Sequence, residues 1–265
     1  MRVLGPGHLL FAFGLAGLGV LSLFSGDFAF TWQPVPAWVP AREILARVSG
    51  ILLLAGGIGM LVRPTAARSM LVLTIYLLTW VLLLQAPRAA AAPTDVGKWL
   101  GFCENLVLMC GGWSLFAMLA ETENRLRPNF FTGSGGRRVA RILFGVSCLV
   151  LGLSHFVYAD FTAGMVPAWL PYRLGFAYLT GAGHLAAGAG ILLGVLPRLA
   201  ATLEAVMISL FVVLLHAPAA AAEPTSRLQW TMLFVSTALA GSVWSIARLY
   251  RSDPWGWRRN NGKAP

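Results

Sequence analysis

Eight stretches of this chain are apolar over the length a helix needs to cross a bilayer, about 20 residues. They fall at roughly 7–24, 44–62, 69–85, 99–119, 139–158, 174–194, 199–216 and 228–247. In hydrocarbon every backbone N–H and C=O must find its partner within the protein, so stretches of this kind fold as helices. Composition points the same way, with 57% hydrophobic residues, 11% charged residues and a mean hydropathy of +0.72, which no water-exposed surface sustains. The first stretch lacks a small-residue cleavage site of the kind that ends a signal peptide, and it reads as a helix.

A net charge of +10 and an isoelectric point near 10.6 would suggest nucleic acid in a soluble protein. Here the basic residues fall between spans, where they set orientation. With the N-terminus in the cytoplasm, that side holds Arg2, Arg63, Arg68, Arg125, Arg127, Arg137, Arg138, Arg141, Arg198, Arg248, Arg251, Arg258, Arg259 and Lys263, which is 14 of the 20. The other side holds Arg42, Arg47, Arg88, Lys98, Arg173 and Arg227. Both termini are therefore expected in the cytoplasm. Cys103, Cys110 and Cys148 form no CxxC pair and lie inside spans, where a thiol packs as a small apolar group.

The chain aligns with itself without a gap at an offset of 131 residues. Pro36, Ala37, Trp38 and Pro40 fall on Pro167, Ala168, Trp169 and Pro171, and Gly50, Gly57 and Gly59 fall on Gly181, Gly188 and Gly190. Residues 86–99 match 217–230 at 8 of 14 positions, and Trp113-Ser114 meets Trp244-Ser245. This is a tandem duplication. Four helices per copy give both copies the same orientation, hence a parallel repeat about the membrane normal. The expected fold is an all-α membrane protein with eight transmembrane helices, arranged as two tandem four-helix bundles related by a parallel internal repeat. Residues 1–120 form the first unit, 121–138 a polar, basic cytoplasmic linker, 139–250 the second unit and 251–265 a basic tail.

In each copy a long loop rich in proline and aromatics follows the first helix, DFAFTWQPVPAWVPAR at 27–42 and YADFTAGMVPAWLPYR at 158–173, and proline there opposes regular helix. Trp32, Trp38, Trp169, Tyr158 and Tyr172 suit the headgroup layer as anchors, or the loops fold over each bundle as lids for an apolar ligand.

The segment SHFVYADFTAGMVPAWLP, then TGAGHLAAGAGILL, then the turn Pro197-Arg198-Leu199-Ala200, resembles the DoxX family of four-helix membrane proteins. His155, Phe156, Phe161, Val166, Pro167, Trp169, Leu170, Pro171, Gly181, Gly188 and Arg198 carry the resemblance, while His184 stands where the family's pattern has an acidic residue. The first copy keeps the loop and glycines but has Phe24 in place of His155. The resemblance implies a fused pair of four-helix units of bacterial origin. It also implies a membrane partner of redox systems, since better-known relatives include a thiosulfate:quinone oxidoreductase subunit.

The duplication serves as an internal control, because a residue that only the fold requires should recur at the same offset. His155, His184 and His216 correspond to Phe24, Leu53 and Gln85, so the fold does not call for imidazole at these positions. Gly181 and Gly188 lie on the face of His184, where small residues let membrane helices approach, so His184 should point inward. Glu204 replaces Leu73 and is a partner for His184 or Arg198. Because the duplicate position carries leucine, His184→Leu is expected to spare the fold. Glu104 and Asn105 stand opposite Val235 and Ser236 and read as side chains snorkelling to water.

An ionisable group inside a bundle marks a functional candidate. The candidate ligand-binding residues are His155, His184, His216 and Glu204, with Trp169 and Tyr172 from the loop. No cofactor is fixed by sequence; a quinone fits first and haem second, and no HxxxH or CxxCH spacing supports a metal. Phosphate loops, nucleophile elbows, HExxH and paired carboxylates are missing from the sequence. The expected function is a membrane subunit of a redox or electron-transfer assembly that binds a quinone-like or lipid ligand in the outer half of the second bundle. The alternatives are a non-catalytic structural subunit and a lipid or small-molecule carrier. Its partners would be the lipid bilayer and other membrane subunits, not nucleic acid. Its place would be the bacterial inner membrane, multi-pass.

Overall fold

The computed structural model describes residues 5–123 and 130–256. Arg2, Arg125, Arg127, Arg258, Arg259 and Lys263, counted in the charge asymmetry, lie outside them, as do residues 124–129 of the linker and the end of the tail.

Among the described residues eight helices are long and apolar enough to cross a membrane, the pattern of a multi-pass membrane protein. They are α1 (Pro6–Ser25), α2 (Arg42–Leu61), α3 (Ala66–Ala91), α4 (Val96–Glu123), α5 (Ser134–Val157), α7 (Arg173–Leu193), α8 (Pro197–Ala222) and α9 (Arg227–Arg248). A short helix, α6 (Ala159–Met165), precedes the VPAWLP segment. The loop of the second half is thus partly helical, because its prolines begin only at Pro167 and leave the preceding turn free to close.

Two helices run further than their apolar stretches suggest. Each passes through a π segment, Trp80–Gln85 in α3 and Val212–His216 in α8, and then continues. The cause is the Ala-Pro pair that follows each segment. Pro87 and Pro218 donate no N–H and crowd the carbonyls of Leu83 and Leu214, so the helix widens by a residue instead of stopping. The linker also yields to helix at both edges, since α4 reaches Glu123 and α5 starts at Ser134. Phe130 and Phe131 pack on Trp113, whose Nε1–H donates to the Phe131 carbonyl at 2.7 Å.

The halves interlock. α1 packs against α2 and α9, and α5 packs against α7 and α4, with α4 and α9 in mutual contact at the centre. α4 bridges α3 and α5, and α9 bridges α8 and α1. Glycine permits the close approach at α1 and α9: a Cβ on Gly14 would stand 2.6 Å from the Phe234 carbonyl oxygen. Each long loop is tied across the same seam. Asp27 pairs with Arg42 and, at 3.3 Å, with Arg227 of α9, while the Tyr158 hydroxyl accepts from the Gly97 N–H of α4 at 2.9 Å. His8, the histidine of α1, is a buried staple to the Met60 carbonyl at 2.8 Å.

Candidate functional site

α5 and α7 cross at glycines. A Cβ on Gly181 would come within 2.8 Å of the His155 Cβ, and one on Gly188 within 2.7 Å of the Gly145 carbonyl oxygen. That closeness brings His155 of α5 and His184 of α7 together, with ring centroids 4.9 Å apart and inclined at 65°. Phe211, one residue before the π segment of α8, lies against both rings, stacked on His155 at 6.2 Å and edge-on to His184 at 6.1 Å.

Glu204 reaches this group from the same helix as Phe211. Its Oε1 is 2.7 Å from His184 Nδ1, and each of the two side chains is only 1% exposed. Oε1 and Nδ1 share one hydrogen, and the ring's Nε2 makes no hydrogen bond among the described residues. The Cys148 thiol approaches the same oxygen at 3.9 Å. The second oxygen, Oε2, is buried with no hydrogen-bond partner among the described residues. A buried carboxylate oxygen in that state is costly unless something donates to it.

His155 is oriented by α7. Its Nδ1 stands 2.9 Å from Thr180 Oγ1 and 3.3 Å from the Ala177 carbonyl. A carbonyl only accepts, and the Thr180 hydroxyl has its own acceptor in the Phe176 carbonyl at 2.8 Å. His155 therefore donates through Nδ1 and keeps Nε2 as an acceptor.

The first half shows what the fold does without this chemistry. Leu53 and Leu73 occupy the positions of His184 and Glu204, and both are fully buried in the apolar core. At the offset of 131 residues a buried apolar pair thus stands where the later segment has an ionisable one. The pairing also changes the expectation for His184→Leu, because that substitution alone strands Glu204 in the core.

Of the six residues singled out from sequence, the structure unites His155, His184 and Glu204. His216 is buried at the end of the α8 π segment but, among the described residues, forms no hydrogen bond or ring contact. Trp169 and Tyr172 are 71% and 89% exposed on the loop, apart from the buried group. Arg198 turns away from Glu204 and donates to the Asp253 carbonyl at 3.0 Å.

Glu104, expected to snorkel to water, is half-buried, and its Oε2 accepts from Trp32 Nε1 at 2.7 Å. It lies on α4, which packs against α5 of the site. The signal in the sequence was an acid at a position whose duplicate, Val235, is apolar and buried.

A family model described as "Domain of unknown function (DUF8561)" matches residues 144–247. The match runs from Phe144 in α5 to Ala247 in α9, so it contains His155, His184, Glu204 and His216 and stops short of α1 to α4. No curated protein and no solved structure matches the chain.

Proposed function

We propose that this protein binds the polar head group of a quinone-like ligand beside His155, His184 and Glu204, as a membrane subunit of a redox assembly. The observation that carries the reading is the unpartnered, buried Oε2 of Glu204 beside two histidine rings whose Nε2 atoms make no hydrogen bond among the described residues. A buried acceptor beside two open imidazole nitrogens suits a ligand that donates, such as the hydroxyl groups of a reduced quinone. Within this chain His184 and Glu204 are the groups placed to exchange protons with such a hydroxyl.

The chain is read as two tandem copies of a DoxX-like four-helix unit, parallel in the membrane, with the fourth helix of each copy packed on its own third helix and on the first helix of the other. The gapless offset of 131 residues and the recurrence of the same helix pairings in each half support that reading. The basic asymmetry supports cytoplasmic termini in a bacterial inner membrane, and Pro6 and Trp255 line one cavity, so the two described ends share a face.

The test is an absorbance spectrum and an analysis of co-purified lipids for protein extracted in mild detergent. Co-purified quinone, depleted in His184→Leu/Glu204→Leu, is the expected result. Equal quinone in both preparations would remove the ligand from this site.

A further inference from the structure

A cavity lies at the bundle end where α1 and α8 begin and α9 stops. It has a volume of about 220 Å³, and Arg198, Arg248 and Arg251 all line it, together with Trp244 and Trp255. Among the described residues no acidic side chain lines it. Arg198 is held in place by its bond to the Asp253 carbonyl and by the Trp255 ring, 3.9 Å from its guanidinium carbon. The guanidinium groups of Arg248 and Arg251 form no hydrogen bond or ion pair among the described residues.

Three like charges around one concavity repel unless an anion sits among them. The backbone adds to the demand. α1 opens at Gly5 and Pro6, and α8 at Leu196 and Pro197; neither helix has a side-chain cap, the prolines carry no N–H and the His8 N–H meets the Gly5 carbonyl, which leaves the N–H groups of Gly7, Arg198 and Leu199 without an acceptor among the described residues. The carbonyl end of α9 opposes this with about half a negative charge, which three full positive charges outweigh. The level also matters. Helix ends lie at the phosphate layer of a bilayer, and arginines between spanning helices at that depth, flanked by tryptophan, have the chemistry of a lipid head-group site.

We propose that this cavity binds the phosphate of an anionic phospholipid, with the guanidinium groups of Arg248 and Arg251 as its principal donors. Guanidinium forks match phosphate oxygens two at a time, whereas a zwitterionic lipid brings its own cation into a place already crowded with positive charge. The proposal rests on the membrane-spanning reading of the chain but not on the histidine site.

The experiment is thermal unfolding of the full chain in mild detergent, titrated separately with dihexanoyl phosphatidylglycerol, dihexanoyl phosphatidylcholine and inorganic phosphate. Phosphatidylglycerol should raise the melting temperature saturably and less so as salt is added, and phosphatidylcholine should not. In R248Q/R251Q the half-saturating concentration should rise by roughly tenfold or more; R251Q alone, at a more exposed position, should show a smaller rise and covers the case in which the double variant does not fold. Equal stabilisation by both lipids, an unchanged response in R251Q and R248Q/R251Q, or a full response to inorganic phosphate at the same concentration would each overturn the proposal. Failure of the membrane reading would show separately, as a chain that stays monodisperse without detergent.

Discussion

Nδ1 of His184 and Oε1 of Glu204 stand 2.7 Å apart across the α7 and α8 interface, while Leu53 and Leu73 meet the same core in the first half. Removing one partner of a buried pair leaves the other uncompensated, whereas replacing both with apolar residues of similar size is often neutral. His184→Leu or Glu204→Leu alone should therefore lower stability by about 3 kcal/mol. The double variant, which copies the first half, should recover most of it. Unfolding of the four proteins in detergent completes the cycle, and strictly additive losses would mean that the two side chains do not act as a pair.

The seam between the halves predicts a second effect. A Cβ on Gly241 of α9 would stand 2.8 Å from the Gly7 carbonyl oxygen and 2.7 Å from the Phe11 Cα, all of it backbone that cannot step aside. Gly241→Ala should cost about 1–3 kcal/mol through overpacking. Gly164→Ala, where nothing lies within 4 Å, should leave melting unchanged or raise it slightly. Equal melting of the two variants would contradict the close contact of α1 with α9.

Asp27 ties the first loop to α2 and α9 and gives a pH dependence. Burial pushes its carboxyl up, but the Phe28 N–H and the Arg42 and Arg227 guanidinium groups outweigh that and hold it below the usual carboxylate value. A carboxyl depressed in the folded state contributes stability above its unfolded value, near 3.9, and loses it as pH falls through the folded value. The side chain is partly exposed, so the contribution is small, about 1 kcal/mol or less. Wild type should melt above Asp27→Asn at neutral pH, and the gap should close below about pH 4. A gap as wide at pH 3 as at neutral pH would show that charge is not what Asp27 supplies.

How far the sequence carried is visible at particular residues. The spans were legible because hydrocarbon sets helix length, and the inward aim of His184 because glycines flank it on one face. The ends of α3 and α8 were not, because Ala-Pro usually stops a helix, whereas here π segments absorb the proline at Pro87 and Pro218. The place of Glu104 was hidden for a different reason. Periodicity gives the face of a helix and not its neighbour, and nothing in residues 96–123 says that α4 packs on α5 of the other half. The exposure of Trp169 and Tyr172 was equally unreadable, since an aromatic in a proline-rich loop fits a lid and a surface anchor alike.

The central claim is that Glu204, His184 and His155 hold a ligand head group, and it is tested most directly by titrating the purified protein with a short-chain benzoquinol and reading saturable binding. The double variant His184→Leu/Glu204→Leu keeps the packing of the first half, so it separates binding from folding. Saturable binding by wild type, weakened roughly tenfold or more in the folded double variant, is the result expected from the loss of two hydrogen bonds, at least one of them to a charged group. Binding of the same affinity in both proteins, or none in either, would contradict it.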